Sequence, residues 1–258
     1  LGIFTKILLK LIPKPQASKT MLAYFNSKSD AGNAVSAIIA NKIIPATVEF
    51  LDNTTIRCVE QYAKIGLPTE IDSLLLLETD GHPVVVEEEA QKIVECCKQN
   101  NAIDVKIAQT ADEAMKLKTA RRSAFSALAR TKPTTILEDI TVPRSEIAAM
   151  LEKIESISKK YNILIGTFGH AGDGNLHPTC LTDEREHDEI SRAEKAYAEI
   201  FEEAIRLGGT ITGEHGTGLA KKKFLHLYTG YAAIDTMRSI KKALDPNNIL
   251  NPGKVFDA

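Results

Sequence analysis

The sequence lacks most of the features that would assign a protein of this size to a functional class. None of its 258 residues is tryptophan, and its four cysteines form no Cys-x-x-Cys pair, so neither a disulfide framework nor a cysteine-based zinc motif is indicated. The formal net charge is only −2, which leaves no broad basic face for nucleic acid. These absences are typical of a globular protein of the cytoplasm, which is the default expectation.

Long apolar runs are also missing. The N-terminal stretch LGIFTKILLKLIPKP is interrupted by Lys6, Lys10 and Lys14, whereas a membrane-spanning helix needs about 18 consecutive apolar residues. Its partial alternation is instead typical of a strand. We therefore expect residues 1–15 to be the last strand of a preceding domain, and residues 16–258 to form one further domain.

From residue 19 onward, strand-like and helix-like segments alternate. Their patterns predict strands over 19–25, 46–51, 73–78, 103–108, 134–142, 164–170 and 176–181. Helical periodicity predicts helices over 29–41, 54–64, 84–99, 110–130, 144–161 and 183–207, with Ser29 and Thr110 as N-caps. The alternation of strands and helices occurs twice along the chain, and no linker separates the two occurrences. It predicts one α+β domain, a ferredoxin-like duplicated sandwich whose mostly antiparallel sheet is covered by helices.

The segment FGHAGDGNLH at 168–177 has the composition of a tight hairpin loop. Gly172 and Gly174 can adopt positive φ there. A turn alone does not require a histidine on each arm. His170 and His177 could face each other and bind one ion, since imidazole nitrogen suits zinc, manganese or iron. Two packed or exposed histidines are the alternative.

A second glycine-rich segment, TGEHGTG at 212–218, contains Glu214 and His215. Glu214 could complete a set of two histidines and one carboxylate, which leaves coordination positions open for substrate or water. Adjacent residues of an extended segment point to opposite sides, so His215 would then lie beside the ion as a base. The alternative is a glycine-rich turn with a solvated Glu–His pair.

Arg121 lies within the apolar stripe of the helix predicted over 110–130, whereas Arg122 lies toward solvent. An unpaired guanidinium on a buried face is costly, so Arg121 needs an anionic partner. A structural carboxylate such as Glu138 or Asp139 would satisfy it. A substrate carboxylate that accepts two parallel hydrogen bonds would satisfy it equally well.

Four segments together carry a specific family resemblance. They are ARRSAF around Arg121, GHAGDGNLHP at 169–178, TGEHGTGLAKK at 212–222 and DPNNILNPGK at 245–254. Their order and spacing resemble the C-terminal half of the FAD-linked oxidases of the vanillyl-alcohol-oxidase type, in the branch of the glycolate oxidase large subunit and D-lactate dehydrogenase. The resemblance covers most of the chain and implies a flavin-dependent enzyme that oxidises a small 2-hydroxy acid.

The resemblance also implies roles for the candidate residues. A divalent ion (zinc, manganese or iron) would be bound by three side chains: His170, His177 and Glu214. His215 would be the base, and Arg121 would bind the substrate carboxylate. Asn251 and Lys254 would lie on a C-terminal tail that faces the flavin.

Further expectations concern the substrate and the partners. Hydroxyglutarate-oxidising relatives have a basic residue where this chain has Leu137, which favours glycolate or lactate over a substrate with a second carboxylate. The resemblance implies that FAD is held mostly by a preceding FAD-binding domain, to which residues 1–15 would belong. It also allows an iron–sulfur subunit as electron acceptor, a homodimer, and a peripheral position at the inner face of the membrane.

Two other function classes stay open. An open site of two histidines and a carboxylate also activates water in metal-dependent hydrolases. A non-catalytic binding module could use the same ferredoxin-like sandwich, because one fold serves many functions. Such a module, however, has no need for convergent His170, His177 and Glu214.

Overall fold

The computed structural model describes residues 1–257, and within this range eight strands form a single sheet. The strands are β1 (Ala17–Phe25), β2 (Thr47–Asp52), β3 (Ser73–Gly81), β4 (Asp104–Ile107), β5 (Thr134–Leu137), β6 (Ile140–Thr141), β7 (Leu164–His170) and β8 (Asn175–Thr182). Their order across the sheet is β4-β1-β3-β2-β7-β8-β5, and β6 also pairs with β8. These pairings are antiparallel, which confirms the predicted α+β class.

Helices connect the strands and begin at capping residues that the sequence partly revealed. They are α1 (Lys28–Ala40), α2 (Asn53–Ala63), α3 (Pro83–Gln99), α4 (Ala111–Arg122), α5 (Ala124–Leu128), α6 (Ile147–Tyr161), α7 (His187–Arg206) and α8 (Leu225–Leu244). Thr110 caps α4 as predicted, accepting from the backbone N–H of Glu113. The prediction that Ser29 caps α1 is wrong, because Ser27 has the extended backbone and accepts from Asp30.

Two ferredoxin-like units lie side by side in the sheet, which confirms the predicted duplication. The first unit (residues 17–107) consists of β1, α1, β2, β3, α3 and β4, with α2 inserted between β2 and β3, and its strands are ordered β4-β1-β3-β2. In the second unit (residues 134–210), β5, α6, β7, β8 and α7 repeat this succession with the order β7-β8-β5. A single bridge between Thr141 and Thr210 takes the place of its fourth strand. The units join through β2 and β7.

Helices cover both faces of the sheet. On β1, Met21, Ala23 and Phe25 face a large core under α1, α3, α6 and α7. Leu22 and Tyr24 face a smaller core under α2, α4 and α5. A central strand with both faces buried is apolar at successive positions, which explains why β1 and β3 contain unbroken apolar runs.

Two predicted elements are interrupted in the structure. The helix predicted over 110–130 divides into α4 and α5 at Ser123, whose ψ of −10° departs from the helical value of about −42°. The strand predicted over 134–142 divides at Glu138 and Asp139, and Asp139 is fully buried. A buried carboxylate requires hydrogen-bond donors, and these donors come from the candidate site described below.

The N-terminal residues 1–15 form neither helix nor strand, and Phe4 and Leu8 are almost fully exposed. Their assignment to a preceding domain stays a prediction. Among the helices of residues 1–257, none has both the length and the hydropathy needed to cross a membrane.

Candidate metal and substrate site

The candidate site lies at the hairpin between β7 and β8, next to β2. His170 is the last residue of β7, and His177 is the third residue of β8. The turn between the strands depends on Gly174, which has φ +75° and lies so close to Val142 that a Cβ atom would overlap the carbonyl oxygen. Of the two glycines predicted to adopt positive φ, Gly174 does and Gly172 does not.

The structure brings together the side chains of His170, His177 and Glu214. One potential ligand atom of each lies within 4.8 Å of the others. The Oε1 atom of Glu214 is 3.4 Å from Nε2 of His170 and 3.3 Å from Nε2 of His177. Two ligands of one tetrahedral ion, each about 2.1 Å from it, are roughly 3.4 Å apart. The two separations from Glu214 therefore fit ligands of a shared ion.

His177 is the most enclosed of these three residues. Its side chain is 3% exposed, and its Nδ1 atom has no hydrogen-bond partner among the described residues. Burial, together with the charges of His170 and Arg121, lowers the pKa of His177 to about 3. The ring is therefore neutral at physiological pH, and a neutral imidazole can offer a nitrogen lone pair to a cation.

The loop that carries Glu214 and His215 wraps around the carboxylate of Asp139. Backbone N–H groups of Gly213, Glu214 and His215 donate to Oδ2 at 2.6, 2.7 and 3.2 Å. The buried ammonium group of Lys221 donates to Oδ1. Burial by itself raises the pKa of Asp139, but the hydrogen bonds from Lys221 and the loop backbone outweigh it and lower the pKa below its usual range. Asp139 therefore binds the loop as an anion.

Glu214 and His215 consequently face the same site. The prediction that they point to opposite sides is wrong, because the loop is a turn around Asp139 rather than an extended segment. Nε2 of His215 is 3.7 Å from Oε1 of Glu214. Its ring stacks on that of His177 with 5.2 Å between centroids, and its side chain is 43% exposed. A ligand in the site could reach it.

Arg121 reaches the same site from α4. Its Nε atom donates to Oε2 of Glu49 at 2.7 Å, and its guanidinium lies 4.8 Å from the centroid of the Phe168 ring. Its Nη2 atom is 3.5 Å from Nε2 of His170. Arg122 is exposed, as the helical pattern predicted. The two adjacent arginines therefore have different surroundings.

The expectation that Glu138 or Asp139 is the structural partner of Arg121 is wrong. Lys221 pairs with both carboxylates, whereas α4 packs on β1 and β3 in the first unit. The actual partner, Glu49, was missed. Its signal was a glutamate between Val48 and Phe50 in the strand TVEFLD. Lys221 was also missed, because the pattern does not distinguish it from the two lysines that follow it.

The C-terminal tail does not join this cluster. Asn251 and Lys254 line a surface cavity with residues 1–3 and the end of α8, and none of the lining residues belongs to the cluster. Asn251 is exposed, and Nζ of Lys254 donates to the carbonyl oxygen of Pro252 at 3.2 Å. Their predicted role toward a flavin stays a prediction.

Comparison with known proteins agrees with the resemblance seen in the motifs. Residues 14–255 match the family described as FAD linked oxidases, C-terminal domain. The chain is 58% identical over 256 residues to glycolate oxidase subunit GlcD of Bacillus subtilis (strain 168), with 99% of this chain and 54% of that protein covered. It is 31% identical over 258 residues to the mitochondrial D-lactate dehydrogenase (cytochrome) of Arabidopsis thaliana, with 99% and 45% covered. The chain thus spans about half the length of these relatives.

A solved structure has a similar fold. The 4-ethylphenol oxidase from Gulosibacter chungangensis superposes with a TM-score of 0.69 at 18% identity, covering 96% of this chain and 55% of that one. This likeness concerns the fold, whereas the family match and the identity to the curated relatives concern descent. Together they show that the chain belongs to the family of FAD-linked oxidase C-terminal domains.

Proposed function

We propose that this chain is the substrate- and metal-binding half of a flavin-dependent dehydrogenase that oxidises a small 2-hydroxy acid, glycolate or D-lactate, to the 2-keto acid. The observation that carries the proposal is the convergence of His170, His177 and Glu214 beside the guanidinium of Arg121. Two of the relatives are named for glycolate and for D-lactate. Both compounds are 2-hydroxy acids, which supports this substrate class.

The three convergent residues would hold a divalent ion. Two imidazole nitrogens and one carboxylate oxygen suit zinc, manganese or iron. The neutral state of His177 avoids competition between the ion and a proton. Three protein ligands leave room for a substrate oxygen. When bound, such an ion is a Lewis acid that lowers the pKa of a hydroxyl group beside it.

Arg121 would bind the carboxylate of the substrate. Glu49 takes up its Nε atom, which leaves the two Nη atoms for a second anion in the two-pronged geometry that guanidinium favours. His215, which lies beside Glu214 and is partly exposed, would accept the proton of the substrate hydroxyl. Leu137, which offers no second cation, supports a substrate with one carboxylate.

Loss of the hydroxyl proton to His215 and of the C2 hydrogen as hydride converts the 2-hydroxy acid into the 2-keto acid. FAD, when bound, is the acceptor of that hydride. It would be held mostly by a preceding FAD-binding domain, and the greater length of the relatives supports such a domain. Asn251 and Lys254 would lie on the side of the chain that faces it.

The proposal extends to the assembly. One relative is named as a subunit, which supports a partner such as an iron–sulfur subunit that takes electrons from the flavin. We place the enzyme in the cytoplasm, peripheral at the inner face of the membrane. We also propose that it forms a homodimer.

The test uses the full-length protein with its flavin domain. Anaerobic addition of glycolate or D-lactate should bleach the flavin absorbance, and an artificial electron acceptor should sustain turnover. D-2-hydroxyglutarate should react much more slowly, and removal of divalent ions by a chelator should slow every substrate until an ion is restored. If no 2-hydroxy acid reduces the flavin, the proposal is wrong. Hydrolysis of a test ester or amide instead would establish the hydrolase alternative.

A further inference from the structure

One carboxylate, that of Glu49, contacts both the candidate metal ligand His170 and the candidate substrate ligand Arg121. Its Oε1 atom is 2.8 Å from Nδ1 of His170, and its Oε2 atom accepts from Nε of Arg121 at 2.7 Å. Glu49 is the cross-strand neighbour of His170 where β2 pairs with β7. Its side chain is 12% exposed, so water competes little for these bonds.

We propose that Glu49 is a positioning residue that fixes His170 in the tautomer with Nε2 free to bind the ion and that orients Arg121 toward the substrate carboxylate. An ionised carboxylate can only accept hydrogen bonds, so Nδ1 of His170 carries the ring proton. Arginine can only donate, and its Nη2 atom lies 3.5 Å from Nε2, which agrees with a lone pair on Nε2. This inference rests on the proposed function.

The contact between Glu49 and Arg121 sets the distance between the ion and the substrate carboxylate. An arginine side chain has several freely rotating bonds, but here Glu49 holds one edge of Arg121 and the ring of Phe168 packs against its face. Because Glu49 lies on a central strand, the ion and the substrate carboxylate would be held in one geometry by a rigid element. Such support from residues behind the ligands sets both affinity and reactive distance.

A titration with Zn²⁺ on this chain tests the proposal, using Glu49→Gln and the matched control Glu78→Gln. Glu78 also lies on a strand, is 17% exposed and pairs with α4 through Lys118, but it has no histidine partner. A glutamine at 49 can donate to Nδ1 and so favour the tautomer with the proton on Nε2. We expect Glu49→Gln to weaken zinc affinity by about 10- to 100-fold, and Glu78→Gln to leave it unchanged.

Long-range ¹⁵N–¹H NMR of the metal-free chain gives an independent readout. The wild-type His170 ring should carry its proton on Nδ1, and in Glu49→Gln the proton should shift toward Nε2. A wild-type proton on Nε2, or zinc affinity in a folded Glu49→Gln equal to that of Glu78→Gln, would overturn the proposal. If Glu49→Gln fails to fold, the wild-type tautomer decides. If the wild-type chain binds no Zn²⁺, the metal part of the proposed function fails. The tautomer of His170 measured by NMR still tests whether Glu49 orients that ring.

Discussion

The two ferredoxin-like units differ in one strand, and this difference locates the site. In the first unit, β4 completes the sheet beside β1, and its backbone groups are paired in the usual way. In the second unit, only the bridge between Thr141 and Thr210 stands where that strand would be. Beyond Thr210 the chain leaves the sheet and brings residues 212–218 over the β7–β8 hairpin. The segment that would be the fourth strand of the second unit is therefore the loop that carries Glu214 and His215.

A backbone released from a sheet must find other hydrogen-bond acceptors. In the second unit, Asp139 takes over that function, since three successive N–H groups donate to one of its oxygens. Lys221 balances its charge from the far side. The first unit needs no such carboxylate, because β4 pairs with β1 through its backbone. It contributes a rigid strand instead, with Glu49 facing the hairpin of the other unit.

The largest expected effect comes from removing the carboxylate of Asp139, which holds the backbone of the loop. Asp139→Asn removes the charge closest to Lys221 and leaves that buried cation paired only with Glu138, whose carboxylate is 3.4 Å away. Loss of one partner of a buried pair typically costs about 3–5 kcal/mol, so the free energy of unfolding from urea titrations should fall by that amount. Zinc affinity should fall as well, because Glu214 loses its backbone anchor.

The matched comparison in the first unit is Glu78→Gln, which removes a partly exposed pair with Lys118. Such pairs contribute about 0–1 kcal/mol. The double variant Asp139→Asn with Lys221→Met should recover part of the lost stability, since it also removes the buried cation, although Glu138 then loses its partner. Equal losses for Asp139→Asn and Glu78→Gln would show that the two units do not differ in this respect.

The next largest effect concerns Arg121, which extends from α4 to the boundary between the units. In the full-length enzyme, Arg121→Lys should lower the affinity and turnover of the 2-hydroxy acid by about 30- to 1000-fold, or ~2–4 kcal/mol, because lysine cannot form the two-pronged contact. Arg122→Lys should stay within about 0.5 kcal/mol, since Arg122 is exposed. Steady-state kinetics and melting temperatures of both variants are the measurement. Unchanged kinetics for a less stable Arg121→Lys would make Arg121 a structural residue only.

The sequence predicted the fold class and the members of the cluster better than it predicted how they are held. Periodicity identified the strands and most helices, since both patterns depend on burial along one segment. The helical stripe distinguished Arg121 from Arg122 for the same reason. The partner Glu49 and the turn around Asp139 join segments more than 70 residues apart. No local pattern reports such pairings, and for this reason Glu138 and Asp139 were assigned to the wrong cation.

A smaller effect is expected from metal binding, which should act mainly on the second unit. Zn²⁺ at 100 times its dissociation constant should stabilise the chain by about 2.7 kcal/mol, because it binds the folded state alone. Hydrogen exchange should slow around residues 170–177 and 212–216 more than in the first unit. His177→Ala should abolish both effects, and His187→Ala, an exposed histidine of the same unit, should preserve them. Uniform slowing of exchange in both units would contradict the division of roles.

The last comparison concerns Asp52, whose side chain connects the two units one position beyond the residues that pair β2 with β7. One of its oxygens accepts from the backbone N–H of Thr55 in α2, and the other accepts from that of Thr167 in β7, both at 2.8 Å. Burial raises its pKa to about 6, although these two bonds oppose the shift. The ordinary value is about 3.9. The folded chain therefore keeps a proton that the unfolded chain has already lost between these two values.

Stability from this group is consequently present below about pH 4 and is lost as the pH rises through about 6, with a slope of at most ~1.4 kcal/mol per pH unit. Urea unfolding of the metal-free wild-type chain and of Asp52→Asn between pH 4 and pH 7 measures it, because groups common to both cancel in the difference. The wild type should lose stability relative to Asp52→Asn as the pH rises. If the bonds from Thr55 and Thr167 outweigh burial, the carboxylate is ionised throughout and the difference changes in the opposite direction. That result would mean that Asp52 connects the two units as an anion, as Asp139 holds the loop.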